Sequence, residues 1–104
     1  MDFDSVGEII ATRRLYFFDE GNRQRTVSVF VGKPEQSHGS SEYHCPIQVI
    51  GIGSQQTQLA SGHDSIQALQ SAFKLIAANL DQLNSELGGK LVWEASCNGD
   101  LGFP

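Results

Sequence analysis

A regular apolar stripe between Asp64 and Leu87 is the feature that most restricts how this chain can fold. Its large apolar residues recur in steps of three and four, which places them along one side of an α-helix. They are Ile66, Leu69, Phe73, Ile76, Leu80, Leu83 and Leu87. A helix of this length, about 36 Å at 1.5 Å per residue, needs an apolar surface against its stripe. We therefore assign Ile66 to Leu87 to the core and expect the rest of the chain to supply a sheet.

Both ends of this helix carry residues that start and stop helices. Asp64 is a good N-cap, and Gln67 follows three residues later in the position of a capping box. The pair Gly88-Gly89 is a typical C-terminal stop. Alanines at four helix positions favour the helix and permit close approach of a sheet. The sequence thus predicts one long helix over about residues 64–87.

The remaining segments are typical of an antiparallel sheet. They are short, rich in β-branched and aromatic residues, and separated by turn formers such as Asp19-Glu20-Gly21-Asn22. The predicted strands are residues 8–18, 25–32, 44–53, 56–60 and 90–94. The longest predicted loop is 33–43. The order β-β-β-β-α-β predicts a single α+β domain over residues 1–104, with about five strands and the segment 90–94 antiparallel to the first strand.

Two sequence features within the predicted strands have more than one reading. Arg13 and Arg14 are adjacent in the first strand and must point to opposite faces, so one of them lies on the core side or at its rim. Trp93 either packs in the core against the helix or is an exposed aromatic that binds a partner. The sequence leaves both alternatives open for Trp93.

Size and composition are those of one globular domain. A chain of 104 residues with 39% apolar and 18% charged residues has enough apolar material for a core and is not typical of disorder. No window approaches the roughly 20 apolar residues of a membrane-spanning helix. The first ten residues carry acids and lack the basic stretch of a signal peptide. We expect a cytoplasmic protein.

The net charge of −5 is unevenly placed along the chain. Residues 1–33 hold five acids and five bases, whereas residues 34–104 hold seven acids against Lys74 and Lys90. An acidic surface repels phosphate groups, so direct nucleic-acid partners and anionic membranes are poor candidates and a basic protein is a better one. The simpler interpretation is that the charge only keeps the protein in solution.

Residues able to carry catalysis or bind metal lack a recognisable arrangement. The cysteines and histidines have none of the spacings typical of zinc ligands, and Cys45 is expected to be a small core residue. A nucleophilic set of Cys45, His63 and Asp64 is disfavoured because Asp64 is already used as a cap. Glu94 and Asp100 make an unsupported acid/base pair. We predict no enzyme activity, no metal and no cofactor.

Three segments together resemble an uncharacterised family of small bacterial proteins of about this length. They are CPIQVIGIG at 45–53, HDSIQALQSAF at 63–73, and KLVWEASCNGDLGFP at 90–104, with the helix start DSIQAL and the C-terminal WE and GDLGFP elements as the most specific parts. The resemblance implies a shared α+β fold and supplies no activity. The size, acidity and fold are also similar to immunity proteins of contact-dependent growth inhibition and related polymorphic toxin systems.

From these features we predict a non-enzymatic immunity or inhibitor protein. It would bind and neutralise a basic cognate toxin domain, in our interpretation a nuclease, with carboxylates in place of phosphates. Loop location selects the partner-binding candidates Glu35, Glu42, Tyr43, Glu94 and Asp100. The alternative is a small-molecule-binding or housekeeping module with a pocket between helix and sheet or under the C-terminal tail.

Overall fold

Five antiparallel strands and one helix form the described part of the chain, which comprises residues 7–51, 57–96 and 99–103 of a computed structural model. The predicted α+β class is confirmed. In chain order the elements are β1 (Ile9–Phe18), β2 (Gln24–Gly32), β3 (Glu35–Gln36), β4 (Tyr43–Ile50), β5 (Thr57–Gly62) and α1 (Ser65–Glu86).

The sheet order follows from the strand registers. β1 pairs with β2, and β2 pairs with β4, where Val31 faces Ile47. β3 pairs with the same strand further along, where Glu35 faces His44, so it continues β2 along one edge of β4. β5 pairs with the other edge. Across the sheet the order is therefore β1, then β2 with β3, then β4, then β5.

The predicted turn between the first two strands is organised by Asp19. Its Oδ1 accepts hydrogen bonds from the backbone N–H groups of Gly21 and Arg23, both at 2.9 Å. Asn22 adopts φ 61°, a left-handed conformation that asparagine tolerates well. The Asp19 carboxylate also lies 3.3 Å from the Arg25 guanidinium. These bonds to the charged form, led by the Arg23 N–H, lower the pKa of Asp19 below its ordinary value.

This lowered pKa predicts a pH-dependent contribution of Asp19 to stability. Because the folded protein releases this proton more readily than the unfolded chain, the contribution is fully present above the ordinary aspartate pKa and is lost as pH falls through the folded value. We expect Asp19→Asn, which keeps an acceptor oxygen, to be less stable than the natural protein at pH 6. The difference should shrink below about pH 4. Urea unfolding across this range measures it, and a pH-independent difference would contradict the prediction.

One face of the sheet forms the core with α1. Strand residues alternate, so Leu15, Val27, Val29, Cys45 and Ile47 point to this face and are buried. From the helix, the buried side chains are Ala68, Ala72, Ile76 and Leu80. The helix start approaches the backbone at Gly62, and Asn79 donates to the Gln58 side chain. The helix therefore runs antiparallel to β5 and covers the β4–β5 half of the face.

The segment after the helix covers the β1–β2 half. Val92 and Tyr16 exchange two backbone hydrogen bonds of 2.8 and 2.9 Å in an antiparallel bridge. Leu91 is buried, and Trp93, Leu101 and Phe103 pack against the core. The predicted position of this segment beside the first strand is thus confirmed. Its predicted strand 90–94 is reduced to a single bridge, which meets β1 at Tyr16.

The helix prediction is confirmed at both ends and wrong at one core position. Asp64 caps the helix, since its Oδ1 accepts the Gln67 N–H at 2.7 Å. Gln67 in turn accepts the N–H of His63 at 2.6 Å. Ile66 was assigned to the core but is 66% exposed. The helix start contacts the sheet through Ala68. Ile66 lies two residues earlier, so its side chain is rotated by about 200° around the helix axis from that of Ala68 and points away from the sheet.

Three further observations concern predictions made from the sequence. The segment 33–43 was predicted as a loop, but it contains β3. The prediction missed this strand because two residues are too few to show an alternating pattern. Cys45 is a buried free thiol as expected, and burial raises its pKa, while Cys97 lies outside the described residues. Within residues 7–51, 57–96 and 99–103, no helix is long and apolar enough to span a membrane.

Candidate functional site

Arg13 holds the C-terminal segment onto the core. It shares a sheet face with Leu15, and its guanidinium carbon lies 3.9 Å from the centre of the Trp93 ring and 4.8 Å from that of Phe103. Its Nη1 donates to the carbonyl oxygen of Leu101 at 3.1 Å. Planar stacking on two aromatic rings plus a hydrogen bond suits arginine better than lysine. This Arg13 clamp fixes residues 101–103 beside the helix.

A cleft of about 280 Å³ remains between the clamped segment and α1. We call it the acidic cleft. The helix contributes Ala77, Leu80, Asp81 and Asn84, which are spaced so that they face one side of the helix. The C-terminal segment contributes Asp100 and Phe103 among other residues. The Asn84 side chain accepts the N–H of Leu91 at 2.9 Å, which ties the start of the segment to the end of the helix.

The chemistry of the acidic cleft combines negative charge with an apolar wall. Asp81 and Asp100 are exposed carboxylates, and no lysine or arginine is among its described lining residues. Asp100 is oriented by the N–H of Gly102, which it accepts at 3.0 Å. Ala77 and Phe103, both partly exposed, give the apolar wall. Such a cleft can take the aliphatic stem and cationic head of a lysine or arginine side chain.

Groups for catalysis or for a metal do not gather in this cleft. Its lining holds carboxylates and an amide but, among the described residues, neither a histidine nor a cysteine. Throughout the part of the chain that the structure describes, no three His, Cys, Asp or Glu residues are placed to hold a metal ion. The described arrangement can bind a cation, and it presents no nucleophile with an adjacent base.

The structure separates the five residues that the sequence selected for partner binding. Asp100 lines the acidic cleft, while Glu94 is exposed in a turn just after the Val92 bridge and does not line it. Glu35, Glu42 and Tyr43 lie together at the β3–β4 end of the sheet. There Gln36 faces Tyr43, and the Glu42 carboxylate lies 3.9 Å from His44 Nε2. Tyr43 is half-buried and packs against the core.

The strand registers show how far the acids at the β3–β4 end lie from Glu94. Tyr16, which binds Val92, faces Thr26 on β2. Nine residues separate Thr26 from Glu35 along β2 and β3, which is about 30 Å of extended chain at 3.3 Å per residue. Glu35 and Glu42 are therefore far from Glu94. The prediction selected acids by their position in loops, and the fold distributes them over two regions.

Asp81 and Asn84 were not among the residues selected from the sequence. Both border the apolar stripe at helical spacing from Ala77 and Leu80, a pattern that marks polar residues at the edge of a buried helix face. That pattern could have indicated them. Their proximity to Asp100 depends on the path of the C-terminal segment, which carries no periodic signal.

A family model described as a domain of unknown function, DUF6968, matches residues 11–104. The chain belongs to this family. The expected membership of an uncharacterised family is confirmed by this match. Searches of curated proteins and of solved structures found no match. For this DUF6968 domain, function is inferred from its own residues.

Proposed function

We propose that this DUF6968 domain is a non-enzymatic immunity or inhibitor protein that binds a basic toxin domain. The observation that carries the proposal is the acidic cleft, where Asp81 and Asp100 lie beside the partly exposed apolar side chains of Ala77 and Phe103, with no lysine or arginine among its described lining residues. The resemblance to toxin-immunity proteins supports the same class of partner. We infer a nuclease, because a nuclease uses lysine and arginine to hold phosphates.

The mechanism is occupation of the toxin's cationic site. A lysine or arginine that normally binds nucleic acid phosphate enters the cleft, its stem lies against Ala77 and Phe103, and its head group pairs with Asp81 and Asp100. Charge-assisted hydrogen bonds of this kind are stronger than neutral ones. A residue held in this way cannot hold a phosphate, so the toxin loses its substrate contact.

The surroundings of the cleft favour fast association with a basic protein. The exposed charges of α1, its N-cap and the following segment are predominantly negative. They are Asp64, Lys74, Asp81, Glu86, Lys90, Glu94 and Asp100. Such a surface raises the association rate of a basic partner, and the effect weakens with salt.

Charge-neutral variants identify which end of the domain binds. We expect the double variant Asp81→Asn with Asp100→Asn to weaken toxin binding by roughly 10- to 100-fold, because the charged head group of the toxin then meets neutral amides in place of carboxylates. The amide introduced in place of Asp100 keeps an acceptor oxygen for the Gly102 N–H, so the cleft should keep its shape. Calorimetry or surface binding at two salt concentrations measures the change.

The matched control removes the same charge at the other end. Glu35→Gln with Glu42→Gln alters two exposed carboxylates at the β3–β4 end and should change the affinity by less than about 3-fold, mainly through association rate. The reverse ranking would place the interface at the β3–β4 end. Equal small effects from both pairs would contradict binding through carboxylates altogether.

Co-expression tests the function itself. Where the adjacent gene encodes a toxic domain, that domain is expressed with and without the protein, and we expect the protein to rescue growth and to form a stable complex with it. Absence of both rescue and complex means that the immunity function is wrong. A complex without rescue of growth would mean that the protein binds the toxin but does not inhibit it.

A further inference from the structure

A second cleft, of about 240 Å³, lies on the sheet face that α1 does not cover. We call it the open-face cleft. Its apolar wall is formed by Pro46 and Leu59, which face each other across β4 and β5. Leu59 is 62% exposed. An exposed leucine beside a concave surface is available to an apolar ligand group.

Charges of both signs line the other side of this cleft. Glu8, Lys33 and Glu35 are all exposed and contribute to its lining. None of the three side chains forms an ion pair or hydrogen bond with another described residue. Opposite charges that share a cleft without neutralising each other can each bind a charged group of a ligand. This differs from the acidic cleft, whose described charges are carboxylates alone.

The spacing of the charges suits a ligand that carries two opposite charges close together. Lys33 and Glu35 are two residues apart, which in extended chain separates their Cα atoms by about 6.6 Å. A carboxylate paired with Lys33 and an ammonium paired with Glu35 can fit between the two side chains on neighbouring ligand atoms. Glu8 offers a second acceptor to the ammonium.

We propose that the open-face cleft binds a free α-amino acid with an aliphatic side chain. The ligand carboxylate pairs with Lys33, its ammonium pairs with Glu35 and Glu8, and its side chain lies on Pro46 and Leu59. The volume is below the roughly 300 Å³ at which sites for drug-sized ligands begin, so a single amino acid is the appropriate size. This site is independent of toxin binding and gives the small-molecule alternative a ligand class.

L-Leucine is the probe that tests the site. Two-dimensional NMR titration of the full chain should show saturable shifts at residues 33–37, 44, 46 and 59, with a Kd on the order of 1 mM for so small a ligand. N-acetyl-leucine, which lacks the ammonium, and leucinamide, which lacks the carboxylate, should each bind about 10-fold more weakly. Absence of saturable shifts, or equal binding of all three compounds, would overturn the assignment.

Single variants connect each ligand charge to its residue. Lys33→Gln should weaken leucine binding about 10-fold and leave leucinamide binding unchanged, whereas Glu35→Gln should weaken leucine and leave N-acetyl-leucine unchanged. Lys90→Gln, an exposed lysine outside the cleft, is the matched control and should have no effect. If Lys33→Gln and Lys90→Gln behave alike, the cleft is not the site. Toxin binding by Lys33→Gln stays normal in either case, which separates this result from the immunity proposal.

Discussion

Gly62→Ala is expected to lower the free energy of unfolding by about 3 kcal/mol, near the upper end of overpacking costs. Gly62 ends β5 where the first turn of α1 returns over the sheet. A Cβ atom at this position would overlap the backbone nitrogen of Ala68 and lie 2.7 Å from the carbonyl carbon of Gln67. Helix backbone cannot rotate away as a side chain can. The helix start would therefore have to move off the sheet.

Gly21→Ala is the matched control for this change. Gly21 has an ordinary φ, and an added Cβ would meet only Asp19 Oδ1 at 3.5 Å. The same substitution there should be neutral or stabilise by a few tenths of a kcal/mol, because it restricts the unfolded chain. Urea unfolding of the two variants gives the comparison. A loss below about 1 kcal/mol at Gly62 would mean that the helix start is not held tightly on β5.

Trp93→Ala is expected to cost about 2–3 kcal/mol, since it removes a half-buried indole and its cation–π contact with Arg13. The indole and the Arg13 guanidinium also surround Gly102, where φ is +81° and an added Cβ would overlap both groups. Loss of the indole therefore loosens residues 101–103 and with them Asp100. We expect toxin affinity to fall together with stability.

Two controls make the Trp93 prediction specific. Val92→Ala changes an exposed neighbour in the same segment and should cost less than about 1 kcal/mol. A double-mutant cycle with Arg13→Ala should give a coupling of about 1 kcal/mol or more between the two side chains. If the losses of stability from Trp93→Ala and Arg13→Ala are additive in the double variant, the arginine does not hold the indole. Unchanged melting of Trp93→Ala would show that the segment is held by other contacts.

The acidic cleft connects this clamp to function. Asp81 stands on a rigid helix, whereas Asp100 stands on a segment held by side-chain contacts to Arg13 and by the Leu91–Asn84 hydrogen bond. The position of the Asp100 carboxylate relative to that of Asp81 therefore depends on the contacts of the Arg13 clamp. Arg13 does not line the cleft, and if the proposed function holds, its substitution should lower partner affinity through the position of Asp100.

Local patterns were sufficient for the elements that repeat. The three- and four-residue steps of Leu69, Ile76 and Leu80 identify a helix face, and the alternation of Val27 and Val29 identifies a strand face. The cap at Asp64 and the turn at Asp19 carry their own hydrogen-bonding side chains. Each of these features is satisfied within a few residues, so sequence spacing alone indicates it.

Other features depend on contacts between distant residues. Ile66 fits the apolar stripe but is exposed because the helix start meets the sheet at Gly62 through its alanine side. β3 forms because its two residues pair with the edge of β4. The Arg13 clamp joins residues 88 positions apart. Residue spacing in the sequence cannot predict a contact between residues so far apart.

The α+β class, the long capped helix, the first hairpin and the buried face of the sheet follow from the order of residues along the chain, because propensity, alternation and capping act over short distances. Which acids share a surface depends on how distant segments pack in the folded protein. Asp100 lies with Asp81 in the acidic cleft, whereas Glu35 and Glu42 lie at the β3–β4 end of the sheet, far from Glu94. The reason is that charged residues carry no period of their own, so the packing of distant segments sets their positions.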